Sequence, residues 1–165
     1  GELIINGQTY LGYLNEPSSW YPEFLATGDL CRVDQDGFVF IAGRKKNLLI
    51  SSFGRNISPE WVESTLQQAA SIKQCIVFGD AQAFCVALIN ATSESISEQQ
   101  ISDELEQYNQ QLPDYARIKY WHSLPQNLTY EDGYLTANGR PKRDIIASVF
   151  NKEINHLYKD NYAIF

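Results

Sequence analysis

Apolar and polar residues alternate with period two through "LCRVDQDGFVFI" at 30–41, on both sides of Asp36-Gly37. An Asp-Gly pair between alternating runs predicts a β-hairpin, because the pair tolerates the left-handed backbone such a tight reversal needs. Upstream, "LIINGQTYLGYL" at 3–14 reads as strand, turn and strand, and Leu48, Leu49 and Ile50 as a short strand leading into a polar, glycine-containing loop at 51–56. Two apolar, β-branched-rich runs, "KQCIVFGD" and "AFCVALINA", predict a second, largely buried hairpin about a tight Gly79-Asp80 connection. "ARIKYWH" at 116–122 alternates as one more strand.

Between these runs the period changes to that of a helix. Ser58 is a good N-cap, Pro59 fits the first helical position, and Val62, Thr65, Leu66 and Ala69 share one face. A second helix is expected over 97–112, with Ser97 and Gln100 as a capping box, Ile101, Leu105, Tyr108 and Leu112 inward, and Glu98, Asp103, Glu104 and Glu106 in water. Pro113 stops it. "LPQNLTYEDGYLT" reads as loop and turn, and Arg143 or Asp144 opens a last helix carrying Ile145, Ile146, Val149, Phe150, Ile154 and Leu157. Helices mixed with antiparallel hairpins predict the α+β class, built as a sandwich without internal repeats.

Composition narrows the function. With 165 residues and 44% hydrophobic content, the chain can bury a real core in one domain or two small pieces. A formal net charge of −7 gives no extended basic surface for a duplex, which argues against nucleic acid as a partner. Cys31, Cys75 and Cys85 have neither metal nor disulfide spacing and read as core thiols in a reducing compartment. No apolar run is long enough to span a bilayer and no charged-then-apolar leader opens the chain, so a cytoplasmic location is expected. The chain has no methionine and begins inside a strand-like pattern, so we expect a piece of a longer polypeptide.

Candidate chemistry is sparse. Asp34 and Asp36 do not form a calcium loop, since Gly37 arrives too early and no closing Glu follows. His122 and His156 lack partners at ligand spacing, and no nucleophile elbow or phosphate-cradling loop is present. What stands out is Arg140, Lys142 and Arg143, three cations within four residues, presented by an Asn138-Gly139 turn where they can meet something negative.

Three polar, glycine-bearing loops, "ATGDL" at 26–30, "GRKKNLLISSFGRNISPEWVE" at 43–63 and "TANGRPKR" at 136–143, come in an order that resembles the closing motifs of the adenylate-forming enzymes. That superfamily comprises acyl- and aryl-CoA synthetases, peptide-synthetase adenylation domains and firefly luciferase. The likeness runs from Gly1 to about Arg143, and its wording is closest to the long-chain fatty acyl-CoA synthetases. It implies that 1–43 is the β-rich tail of a large adenylation domain, 44–46 a hinge, and 47–165 a small mobile domain of antiparallel hairpins and three helices.

The resemblance also implies roles. Asp29 matches the carboxylate that accepts both ribose hydroxyls of ATP, and Arg44 the arginine reaching the ribose and phosphates. Lys46 falls at the hinge position. Gly54 matches the glycine lining the thiol's tunnel; Arg55 and Asn56 follow it, and Asn56 stands where many members carry an arginine for CoA phosphate. The family's closing lysine, which bridges the carboxylate substrate and the α-phosphate, is replaced by Arg140. Three readings follow: Arg140 does its work, Lys142 reaches in from two residues on, or adenylation is weak or lost. Arg143 matches the closing arginine and reads as structural.

The implied function is ATP-dependent activation of a carboxylic, in this branch fatty, acid as an acyl-adenylate, followed by transfer to CoA, with ATP, Mg2+ and CoA bound mainly by the large domain. Alternatives are an acyl-AMP ligase loading an acyl carrier protein, or a degenerate, non-catalytic interaction module. The phosphate loop and acyl pocket would lie upstream, so this piece alone is expected to be inactive.

Overall fold

Three antiparallel strands, β1 (Glu2–Asn6), β2 (Phe24–Val33) and β3 (Val39–Arg44), form a sheet in that order. The predicted Asp-Gly hairpin joins β2 to β3: the Asp34 carboxylate accepts the N–H groups of Asp36 and Phe38 at 3.0 and 2.9 Å, and Gly37 takes φ +88°. This computed structural model describes residues 1–7 and 10–159. They divide into two units, Gly1–Leu48 and the residues from Leu49 onward.

The strand expected after β1 does not form. β1 pairs with the distant β2, from Ile4 opposite Ala26 to Asn6 opposite Phe24, and takes no local partner. Residues 10–21 fold on themselves instead: Tyr21 N–H donates to Leu11 O at 2.8 Å and Trp20 Nε1 to Tyr13 O at 3.0 Å. A Cβ at Gly12 would run into Trp20, so the close approach needs the glycine. Among the described residues of this first unit no apolar side chain is fully buried, and Val39, Phe40 and Ile41 are exposed together. A lone three-stranded sheet is too small to build its own core.

The core lies in the second unit. A two-stranded ribbon, β4 (Leu49–Ile50) and β5 (Asn56–Ile57), leads into helix α1 (Pro59–Leu66), which Ser58 caps by accepting from Trp61 N–H. Then come β6 (Ile72–Phe78), β7 (Cys85–Ala91), α2 (Glu98–Asn109) and β8 (Ile118–Ser123). The sheet order is β6-β7-β8. β6 and β7 are antiparallel as expected, whereas β8 runs parallel to β7, because α2 carries the chain back before β8 enters.

The strand residues sort by period two between two apolar layers. Cys75, Val77, Ala87 and Ile89 face a cluster with Val62, Leu66, Ile101 and Leu105 of α1 and α2. Ile76, Val86 and Leu88 face one with Leu128, Ile146, Ile154 and Tyr158. Covering both faces explains why the middle strand reads as an unbroken apolar run. Cys75 and Cys85 are core thiols whose acidity burial suppresses, Cys85 being pushed up to about 11. Cys31, also expected in a core, is only half-buried, because its sheet has none.

Three local expectations change. The β6–β7 connection spans 79–84 and is not a tight turn; its Asp80 carboxylate accepts Ile50 N–H at 2.9 Å, so the extra residues reach β4. α2 ends at Asn109, and 110–112 close it with i→i+3 bonds that still bury Leu112. The last helix is two, α3 (Arg143–Val149) and α4 (Asn151–Lys159), broken at Phe150, whose φ −97° and ψ 25° leave the helical region. The described residues thus hold four α-helices where the likeness implied three, within the α+β class expected. Ile145 and Val149, among the apolar residues expected on the last helix, are 44% and 55% exposed, while Ile146, Ile154 and Tyr158 are buried.

Candidate functional site

Asp29 sits in the interior of β2 directly opposite Arg44 at the end of β3. Arg44 Nε donates to Asp29 Oδ1 at 3.0 Å and its Nη1 to Thr27 O at 2.7 Å. Gly28, at φ +72°, lies against the same guanidinium, and its N–H donates to Glu2 Oε1 at 3.2 Å. Glu2 in turn pairs with Lys45 at 2.8 Å, which holds its carboxyl below the usual range. Two of the predicted residues, Asp29 and Arg44, are therefore brought into direct contact. Lys46 is exposed in the short 3-10 turn Lys45–Asn47.

The loop expected to line a thiol tunnel is a closed reversal within the β4–β5 ribbon. Gly54 N–H donates to Ser51 O at 2.8 Å, Ser51 N–H to Arg55 O at 3.0 Å, and Arg55 N–H to Ser51 Oγ at 3.1 Å. Gly54 stands at φ +73° with open space where a Cβ would go. Arg55 lies over the Tyr115 ring at 5.8 Å, and Asn56 is exposed opposite Ile50.

The cationic loop is a second tight hairpin. Leu135 bridges Pro141, Thr136 N–H donates to Arg140 O at 2.8 Å, Arg140 N–H to Thr136 Oγ1 at 3.0 Å, and Gly139 turns at φ +77°. Arg140 is exposed at the tip, with no ion pair among the described residues. Lys142 is half-buried, its N–H given to Tyr134 O at 2.8 Å. A protruding cation on a braced backbone can meet an anion with little reorganisation.

Residues 46–162 match the family described as the AMP-binding enzyme C-terminal domain. The chain belongs to that family. It is 28% identical to the long-chain-fatty-acid–CoA ligase FadD15 of Mycobacterium tuberculosis, over 96% of this chain and 31% of that protein. Fatty acyl-CoA synthetase B of Dictyostelium discoideum is 26% identical over 96% of this chain and 28% of its own. In fold, the adenylation domain of a carboxylic acid reductase from Segniliparus rugosus, solved with AMP and a co-purified carboxylic acid, superposes with a TM-score of 0.85 at 21% identity, covering 97% of this chain and 28% of that one. The chain thus spans about three-tenths of the length of these curated relatives.

Within this AMP-binding enzyme C-terminal domain, sequence reasoning overlooked Glu63. Its side chain is 8% exposed on α1 and meets Arg143, the first residue of α3, at 2.6 Å. Glu63 Oε1 also accepts Val77 N–H at 2.8 Å, satisfying an outward donor of the edge strand β6. Burial pushes its carboxyl up to about 7, against the pull of Arg143 and the Val77 amide. The signal was in the helical pattern: a carboxylate one place after Val62 falls on the inward side of α1 and needs a partner. Arg143, read as structural, is that partner.

Proposed function

We propose that the chain is the C-terminal part of an AMP-forming ligase that activates a carboxylic, in this branch fatty, acid and transfers it to the thiol of CoA. Membership of the AMP-binding enzyme C-terminal domain family carries the reading. The names of the relatives support the fatty acid and CoA, and the exposed cation at the hairpin tip supports a role in adenylation. Residues 44–46 would be the hinge between the tail of a large domain at 1–43 and a small mobile domain at 47–165. Unpaired cysteines fit a cytoplasmic protein; among the described residues no helix is long and apolar enough to cross a membrane.

In the first half-reaction a carboxylate oxygen of the acid attacks the α-phosphorus of ATP, the bond to the bridging oxygen breaks, and pyrophosphate leaves with the electron pair. ATP enters as its magnesium complex, the metal offsetting phosphate charge. Asp29 accepts the ribose hydroxyls and Arg44 orients that carboxylate and reaches the phosphates. Arg140 lies between the acid and the α-phosphate, where its planar fork serves both anions. The hinge at Lys46 then turns the small domain. The thiolate attacks the acyl carbon across the glycine-lined loop at Gly54, and AMP leaves.

ATP–pyrophosphate exchange on the full-length protein, offered a range of fatty acids, tests this reading. Exchange abolished by Arg140→Ala assigns the family lysine's role to Arg140; loss only in Lys142→Ala moves it two residues on. No exchange with any acid in the wild type would sink the ligase reading in favour of a non-catalytic module. If CoA is the acceptor, adding it releases free AMP; release that needs a phosphopantetheinylated protein would make the acceptor an acyl carrier protein. The piece alone should bind ATP no tighter than millimolar by calorimetry.

A further inference from the structure

Glu63 and Arg143 are 80 positions apart, yet their contact ties three elements together. Glu63 comes from α1, the N–H it accepts from the edge strand β6, and Arg143 opens α3 immediately after the cationic hairpin. The guanidinium is 16% exposed and its only carboxylate partner among the described residues is Glu63. Two residues, Pro141 and Lys142, separate it from Arg140, and the backbone between them is closed by the Leu135–Pro141 bridge and by Lys142 N–H on Tyr134 O. Little slack remains between the ion pair and the exposed cation.

A buried ion pair is a poor source of net stability, because desolvation offsets much of its attraction. What it does well is fix one arrangement, since either charge left alone in that place is costly. We infer that the Glu63–Arg143 pair holds the 135–141 hairpin where its cation acts, so that Glu63 is a positioning residue for adenylation; this rests on the ligase reading above. The groups around its carboxyl are Arg143 from α3, the Val77 amide and the Cys75 thiol from β6, and Glu60 one turn earlier on α1. The pair touches no residue of the 51–56 loop in the bonds that define it, so the thiol step should not depend on it.

The test uses the full-length protein with Glu63→Gln, which keeps the shape and an acceptor for Val77 N–H but loses the charge, and with Arg143→Lys, which keeps the charge but loses the fork. Two half-reactions and one structural readout are followed. Misplacement of a reacting group by about 1 Å costs on the order of 100-fold, so kcat for ATP–pyrophosphate exchange should fall by about that factor in Glu63→Gln. KM for ATP and the rate of thioester formation from supplied acyl-adenylate should stay within about threefold, and Arg143→Lys should show the same split more weakly. By hydrogen–deuterium exchange, the amides of Thr136, Arg140 and Lys142 should lose protection in Glu63→Gln.

Equal loss in both half-reactions, no loss in either, or unchanged amide protection would overturn the inference. So would both variants losing the native near-ultraviolet signal, which would make the pair a stability element and nothing more. A wild type without exchange activity would defeat the ligase reading itself, and the amide readout would still decide whether Glu63 braces the hairpin.

Discussion

Asp29 and Arg44 face each other across β2 and β3, joined at 3.0 Å with side chains 29% and 36% exposed. A pair this wet adds only about 0–1 kcal/mol to stability. Its geometry nonetheless holds the carboxylate in one orientation, because the guanidinium is itself anchored on Thr27 O at 2.7 Å. One of its oxygens is engaged by Arg44 Nε, and a carboxylate has lone pairs enough to accept further hydroxyls beside that bond.

Asp29→Ala should therefore separate binding from folding. Charge-assisted hydrogen bonds are worth about 1.5–3 kcal/mol each, so losing those to a ribose should raise KM for ATP in the full-length protein by at least about tenfold. Stability by urea unfolding should change by less than about 1 kcal/mol. An unchanged KM would remove Asp29 from the nucleotide site.

Gly54 makes a different separation. At φ +73°, with empty space where a Cβ would stand, Gly54→Ala meets no clash and incurs only the left-handed backbone cost of about 1–2 kcal/mol. On the proposed role of this loop, a methyl in that space would narrow the path of a pantetheine arm. Thioester formation should slow while ATP–pyrophosphate exchange persists, and equal rates for wild type and variant in the thiol step would show that no acceptor passes there.

How much of this was legible beforehand divides by range. The Asp36-Gly37 hairpin, the Ser58 and Ser97 caps and the β6–β7 pairing follow from local signals, and the structure carries them all. The strand expected at 10–14 failed because β1 found its partner in the distant strand β2, with Glu2 opposite Leu30 and Ile4 opposite Ala26, and no local pattern reports that choice. The parallel β8 and the Glu63–Arg143 pair are likewise long-range. Site residues carried by motif wording, Asp29 and Arg44, came together in space; the carboxylate that braces the cationic hairpin carried no motif and needed the fold.

Glu63 also gives the protein a pH signature. Its folded carboxyl is raised from 4.5 to about 7, chiefly by burial, so the folded state holds this proton more tightly than the unfolded chain. The associated stability is complete below pH 4.5 and is lost as pH rises through about 7. At about 1.4 kcal/mol per unit, the loss across that window is on the order of 3 kcal/mol. Urea unfolding from pH 4.5 to 8 should show wild-type stability falling relative to Glu63→Gln, in which the titrating group is gone; parallel curves would mean that Glu63 does not titrate there.

The end of the chain offers a test of packing alone. Residues 146, 150, 154 and 158 recur every four positions, and Ile146, Ile154 and Tyr158 among them are buried against Val86 and Leu88 of the central strand. The apolar residues expected on the last helix also include Ile145 and Val149, yet both are largely exposed, because the break at Phe150 resets the helix before a wider stripe can form. Removing a fully buried isoleucine side chain costs about 2–5 kcal/mol through lost transfer energy and the cavity left behind. Surface truncations cost about 0.5 kcal/mol or less. Ile146→Ala should therefore lower stability by several kcal/mol while Ile145→Ala, its immediate neighbour with the same side chain, should leave the unfolding midpoint almost unmoved. Because Ile146 lies one turn beyond Arg143, its loss should also loosen the cationic hairpin. Equal costs at 145 and 146 would mean that α3 packs on a different face.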